Sequence, residues 1–279
     1  RWIHVAGFSL QPSEFTKPAF LIVAAWLMAL QKTKENVQGN LIAAGLYFLV
    51  ICLFLLQPDL GMTVIVTASW AAQIFLAGLP FRWLIAFGGA GIAGLVAVYF
   101  SFDHVQSRID RFLDPSSGDN LQVERSLEAF KNGGLFGTGP GQGSVKLGLP
   151  DAHADFIFSI IGEEFGLFFV LIMMLMFGFI LLRGYNRLME NDDLFVVLGA
   201  GGLLTMFGLQ AMAHMGSALN LLPTKGMTLP FISYGGSSVL SMGFAMGVVL
   251  ALTRRQRRSS VSKGGLSLSS GDSSVKNKS

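Results

Sequence analysis

Charge is scarce in this chain. Of 279 residues only 13% are charged, against 52% hydrophobic. A water-soluble domain usually carries about 25% charged residues. Together with a mean hydropathy of +0.56, that deficit points away from a soluble fold. The apolar residues fall in long runs of roughly 17–25, each long enough to cross the hydrocarbon core of a bilayer. Cysteine is nearly absent: Cys52 stands alone inside an apolar run, which excludes an intrachain disulfide and says little about redox compartment. The net charge of +3 is too small to argue for a nucleic-acid partner. The chain opens on Arg1 rather than Met and shows no signal-peptide pattern, so an upstream piece is expected to be missing. No internal repeat of the kind found in transporters is visible. Gly137-Thr138-Gly139-Pro140-Gly141-Gln142-Gly143 is not a dinucleotide loop, because no strand–helix unit surrounds it.

What is present is an all-α integral membrane pattern, a polytopic helical bundle. About seven spans are expected: Phe15–Leu30, Asn40–Leu56, Leu60–Ala77, Trp83–Phe100, Phe156–Leu182, Leu194–Leu219 and Ser237–Leu252. Lys and Arg are retained on the cytoplasmic side of short loops. Alternate loops hold Lys32 and Lys34, then Arg82, then Arg183 and Arg187, then the Arg254–Arg258 cluster, which reads as a topology anchor. That parity puts the C-terminus in the cytoplasm and Arg1 outside, so an odd number of further spans is expected upstream. The membrane domain is expected over 1–258, with a long extracytoplasmic loop at 101–155 and a disordered cytoplasmic tail at 259–279. Within the loop, Leu121, Leu127 and Phe130 are spaced along a helix, Asn120–Asn132, that would lie on a membrane surface. A Gly-rich segment, Gly133–Gly148, follows it.

Ionisable residues beside lipid mark function by default, because burying a charge there is expensive. Four clusters gather at the outer face. In Gln11–Lys17, Glu14 and Lys17 are three apart and can pair on one helical face. They form either a satisfied helix start or the charged wall of a polar cavity. Asp59, in the Gln57-Pro58-Asp59 turn, is either an N-cap or a carboxylate for a cation or a sugar hydroxyl. In the third cluster Asp155 opens a span at the interface, where a carboxylate suits a general base, and Glu163 lies about two turns deeper on roughly the same side. His153 hints at a metal, but no second ligand pair has convincing spacing. The fourth, Leu222–Ser238, has prolines and glycines at membrane depth and implies a re-entrant loop lining a cavity. Lys225 offers a cation there, and Gly235, Gly236 and the serines open the last helix, whose N-terminus attracts anions. His214 reads as a hydrogen-bonded helix contact.

An apolar groove with acids and a lysine at one face suits an amphiphile with a lipid tail and a charged head. A lipid-pyrophosphate sugar meets that description. Glycosyl transfer from it needs a base on the acceptor hydroxyl and positive charge on the departing pyrophosphate. Asp155 supplies the first; Lys17, Lys146, Lys225 or a divalent cation such as Mg or Mn supplies the second.

At these clusters the sequence resembles the SEDS family (shape, elongation, division and sporulation). The matching pieces are Arg1-Trp2-Ile3 with Gln11–Lys17, Pro58-Asp59-Leu60-Gly61, His153–Phe158 with Gly162–Gly166, and Leu222–Ser238. Thr224-Lys225-Gly226 resembles the cell-division branch rather than the elongation branch. The resemblance implies a bundle of about ten spans, of which some seven are here, in the bacterial cytoplasmic membrane at the division septum. It implies a peptidoglycan glycosyltransferase that polymerises lipid II, partnered by a class B penicillin-binding protein and other divisome proteins. By the same resemblance Asp155 is the catalytic aspartate, and Glu14, Lys17, Asp59 and Lys225 shape the substrate cavity. Lys146, Glu163 and Ser233 complete the expected substrate-binding set. Ala154 departs from the Thr often found there, leaving the neighbouring carboxylate in place. A flippase for the same lipid and a non-catalytic divisome scaffold are the alternatives.

Overall fold

The computed structural model describes residues 3–5, 8–34, 36–57, 59–78, 121–148, 152–222 and 227–254, with isolated positions between 88 and 110. Most of the expected span Trp83–Phe100, the first part of the expected long loop, Lys225 and the tail lie outside the described residues.

The chain enters through a small antiparallel hairpin, β1 (Ile3–Val5) and β2 (Phe8–Leu10), with Ile3 opposite Leu10 and Val5 opposite Phe8. It is an addition to an otherwise all-helical architecture, too short for a two-residue alternation to stand out in the sequence. Helices follow: α1 (Pro12–Thr33), α2 (Gly39–Leu56), α3 (Leu60–Leu76), α4 (Leu121–Gly133), a 3₁₀ turn (Val145–Gly148), α5 (Ala152–Asp155), α6 (Ile157–Met189), α7 (Leu194–Ala218) and α8 (Gly236–Leu252). Of these, α1, α2, α6 and α7 are long and apolar enough to cross a membrane. The apolar helices α3 and α8 have 17 residues each, about 25 Å at 1.5 Å per residue. The described spans start and stop within a few residues of the apolar runs, except that α6 continues past Leu182 to Met189. No Gly or Pro stops it there, and its polar last turns leave the apolar run without leaving the helix.

A main chain surrounded by lipid must satisfy its own polar groups. Proline shows how. Pro12 occupies the first helical position of α1, where a missing N–H costs nothing, but Pro18 sits inside the helix. Its absent N–H orphans the carbonyl of Glu14, four residues back. The Ser241 hydroxyl of α8 donates to that carbonyl at 2.6 Å, so the defect in α1 becomes a contact between two helices.

The centre of the bundle is α7, packed against α1, α3, α6 and α8. Its most apolar stretch is 72% buried, against 22% for α6, most of whose surface faces outward. Small residues make that centrality possible. Gly201, Gly202 and Gly208 let α3 and α6 approach so closely that a Cβ at Gly202 would collide with the Gln73 amide. That amide, fully buried on α3, donates to Leu21 O at 2.8 Å and Leu198 O at 3.1 Å, and so joins three helices at once.

α4 departs from expectation. Its apolar side packs on α6. Ala129 is buried, Phe130 meets Phe158 edge-on at 5.6 Å, and the Ser126 hydroxyl donates to Ala218 O at 2.6 Å. The same amphipathic period serves either surface, and Gly133 and Gly162 decide the matter by removing the side chains that would hold the helices apart.

The packing around α7 gives a direct test. Gly202→Val should lower stability by about 1–3 kcal/mol through overpacking against Gln73. Gly243→Ala on α8, where a Cβ meets nothing within 4 Å, should stay within about 0.5 kcal/mol of wild type. Thermal unfolding in detergent reads both; equal melting points would refute the close approach at α7.

Candidate functional site

Two irregular segments meet at one end of the bundle. The first is α5, a single turn ending in Asp155 and separated from α6 by Phe156, whose φ of −123° and ψ of 21° break the helix. The second is a strap, residues 227–234, between α7 and α8. A one-turn helix leaves its last carbonyls without partners, and the strap supplies them. The Tyr234 N–H donates to His153 O at 3.0 Å and the Ser233 hydroxyl to Ala154 O at 2.8 Å. Ser233 Oγ in turn accepts the Leu229 N–H at 2.7 Å, closing the strap on itself around Phe231, whose φ is +62°. The strap thereby fixes the backbone on which Asp155 stands. Asp155 is half-buried, above the fully buried Phe158.

The strap is also tied from below. The His214 ring on α7 hydrogen-bonds Met227 O through Nδ1 at 2.6 Å. Gln210, one turn earlier on α7, donates to Thr228 O at 3.2 Å, and the hydroxyls of Thr228 and Ser238 pair. The Gln210 carbonyl oxygen accepts from Lys17 Nζ at 3.0 Å, and Lys17 pairs with Glu14 at 2.8 Å. Lys17 is 0% exposed and Glu14 4%. Buried charges survive only when paired and hydrogen-bonded; the two charges are paired, and Lys17 is also hydrogen-bonded to Gln210. One continuous polar network thus runs from α1 through α7 to the strap and on to the turn of Asp155.

A third arrangement surrounds the start of α6. Gly166 adopts φ 80° and ψ 176° inside the helix, a conformation that favours glycine. The break frees main-chain groups on both sides, and the Gly-rich loop after α4 takes them. The N–H groups of Thr138 and Gly139 donate to the carbonyls of Glu163 and Glu164 at 2.9 and 3.0 Å. The N–H groups of Leu167 and Phe168 donate to the carbonyls of Gly134 and Leu135 at 2.9 and 3.2 Å. Side chains of the same acids continue the join. The Glu163 carboxylate accepts the N–H groups of Ser144 and Val145 at 3.0 and 3.2 Å, and Glu164 accepts that of Gly141 at 2.9 Å. Gly137, with φ +82°, has no room for a side chain against Glu164 O.

The expected site residues therefore occupy different environments. Asp155 ends α5, and Ser233 bridges the strap to it. Glu14 and Lys17 form the buried pair beneath. Glu163, 1% exposed, faces the main chain of the Gly-rich loop, whose far end leads into the 3₁₀ turn that carries Lys146. Asp59 caps α3 by accepting the Met62 N–H at 3.2 Å, the plainer of its two readings. His214 is a hydrogen-bonded contact, as its position in a span suggests. Gln210 escaped the sequence reading, and Thr228 and Ser238 entered it only as part of the Leu222–Ser238 segment; a glutamine deep in an apolar helix was the available signal. Among the described residues no three His, Cys, Asp or Glu side chains cluster as metal ligands.

A family model described as "Cell cycle protein", covering FtsW, RodA and SpoVE, matches residues 1–258. The chain is 46% identical over 256 residues to the probable peptidoglycan glycosyltransferase FtsW of Caulobacter vibrioides, covering 92% of this chain and 66% of that protein. It is 36% identical over 262 residues to the stage V sporulation protein E of Bacillus subtilis, covering 92% and 72%. The chain thus spans about two thirds of the length of its curated relatives. Among solved structures it resembles a chain of a peptidoglycan synthase complex that coordinates polymerization and crosslinking, with TM-score 0.74 and 27% identity over 92% of this chain and 74% of that one. It also resembles the rod shape determining protein RodA of Thermus thermophilus, with TM-score 0.62 and 27% identity over 91% and 70%.

Two substitutions probe the network. Lys17→Met should cost about 3–5 kcal/mol by stranding the Glu14 carboxylate. Combining it with Glu14→Gln should recover part of that loss, giving a coupling energy in a double-mutant thermal-unfolding cycle; strict additivity would deny the pair. Glu163→Leu should strand two loop N–H groups at about 1–3 kcal/mol each. Hydrogen exchange over residues 137–145 should accelerate while exchange in α7 stays unchanged.

Proposed function

The chain belongs to the FtsW, RodA and SpoVE family of cell cycle proteins, and from that premise we propose that it is the lipid II polymerase of septal cell-wall synthesis. In this reading it joins disaccharide units into glycan strands at the outer face of the bacterial cytoplasmic membrane. The names of its relatives support a peptidoglycan glycosyltransferase. The observation that carries the chemistry is Asp155, half-buried at the end of α5, its main chain held by the strap.

Transfer requires the acceptor hydroxyl oxygen to attack the anomeric carbon of the donor sugar while the bond to the lipid pyrophosphate breaks. The pyrophosphate leaves with the bonding electrons, and the hydroxyl proton passes to the Asp155 carboxylate. A base so placed typically contributes 10²–10⁴-fold. Lys225 and Lys146 meet the negative charge growing on the leaving pyrophosphate. A divalent cation, Mg or Mn, would add positive charge at the departing pyrophosphate. Glu14 and Lys17, a buried neutral pair, position the strap through Gln210. Glu163 acts on the reaction through the loop that leads to Lys146.

The partner in this reading is a class B penicillin-binding protein, the transpeptidase that crosslinks the new strands. Likeness to a complex that couples polymerization with crosslinking supports it. Other divisome proteins gather the pair at the septum. The C-terminus lies in the cytoplasm, as the arginines from Arg254 to Arg258 favour.

The intact protein and its transpeptidase, reconstituted with lipid II, provide the test. Asp155→Asn should reduce glycan polymerisation by roughly 100-fold or more while the complex still assembles. Polymerisation at the wild-type rate would remove Asp155 as the base, and no polymerisation even by wild type would leave the scaffold reading. Unimpaired lipid II translocation across vesicles by a variant that no longer polymerises would separate catalysis from transport.

A further inference from the structure

At the far end of α6 from Asp155 lies a second polar region, one that glycosyl transfer does not use. The last turns of α6, the first turn of α7 and the last turn of α8 enclose an open cleft of about 1590 Å³. Phe179, Leu182 and Phe195 line one part of it, and Arg183, Arg187 and Arg254 line another. Leu182 is 67% exposed, so the apolar part of the cleft opens sideways onto the lipid-facing surface of α6.

The arginines are the unusual feature. Three guanidinium groups, two from α6 and one from just past the end of α8, share one cleft. None of them forms an ion pair or side-chain hydrogen bond with a described residue. Carboxylates are close in sequence, since Glu190, Asp192 and Asp193 line the same cleft. Glu190 is already engaged, Asp193 accepts the Phe195 N–H at 2.9 Å as the cap of α7, and Asn191 receives the Asp193 N–H at 3.0 Å. The acidic turn is thus organised to join α6 to α7. Within the cleft Arg183, Arg187 and Arg254 are the basic groups, and Arg255, Arg257 and Arg258 follow Arg254 in the sequence. A planar guanidinium fork matches phosphate oxygens. A basic pocket between transmembrane helices on the cytoplasmic side, with an apolar lip, is built for the headgroup of an anionic lipid.

We propose that this cleft binds an anionic phospholipid of the cytoplasmic leaflet, its phosphate between Arg183, Arg187 and Arg254 and its acyl chains along Phe179 and Leu182. The inference rests on the cytoplasmic placement of this end given under the proposed function, but not on the reaction itself. A bound lipid would clamp the ends of α6, α7 and α8 together. A simple topology anchor behaves differently, because it attracts any anionic surface and needs no cleft.

The test is native mass spectrometry of the intact protein released from detergent with phosphatidylglycerol, cardiolipin or phosphatidylcholine, and thermal unfolding with the same lipids. Wild type should retain phosphatidylglycerol and cardiolipin roughly ten-fold more than phosphatidylcholine, and melt higher with them. The combined variant R183Q/R187Q/R254Q should lose that preference, while Arg125→Gln near the opposite end keeps it. If the triple variant does not fold, R187Q and R254Q are compared singly by the lipid-induced rise in melting temperature. Undiminished retention by the arginine variants, or equal retention of phosphatidylcholine, overturns the proposal. Displacement of the lipid by inorganic phosphate at millimolar concentration would overturn it in favour of a soluble anion. Asp155→Asn should bind the lipids as wild type does, so failure of the polymerase reading leaves this result intact.

Discussion

The demand that every buried main-chain donor and acceptor find a partner governs this molecule. A bilayer offers no water to a broken helix, yet the chain breaks its helices wherever the candidate site is built. Each break is met by a specific donor or acceptor from elsewhere. Ser241 takes the carbonyl that Pro18 orphans, the strap takes the last carbonyls of α5, and the Gly-rich loop takes both sides of the Gly166 kink. The irregular backbone near Asp155 is therefore held as firmly as regular helix, which is what a positioned carboxylate requires.

Charge obeys the same demand. Lys17 and Glu14 are tolerated in the core because each answers the other and Gln210 answers the lysine. The cost of desolvating them is offset locally, and the network they anchor reaches the strap. The sequence distance between Lys17 and Gln210 is 193 positions, so the bundle has to be assembled before this pair is complete.

Much of the architecture was legible beforehand, because apolar runs, turns and caps are local properties. The runs located α1, α2, α3, α6, α7 and α8. The three-residue spacing of Glu14 and Lys17 foretold their pairing, and the turn at Asp59 its cap. What escaped was long-range or carried by the main chain. Glu163 looked like an acid facing a cavity, but its partners are the N–H groups of Ser144 and Val145, and an N–H has no residue-type signature. The amphipathic period of α4 could not say which apolar surface it covers. Gln210 sits singly in an apolar helix, with no period to mark it, and the bond between the Thr228 and Ser238 hydroxyls has no signature in the sequence. The 3–10 hairpin was too short to register.

The kink at Gly166 bears on biogenesis. Translation runs from the N-terminus, so residues 134–139 are made before Gly166. The partner for the broken turn is already waiting when the turn emerges. A chain in which the loop came after the helix would have to park four bare peptide groups in lipid until its complement arrived. This order of synthesis spares the nascent protein that interval.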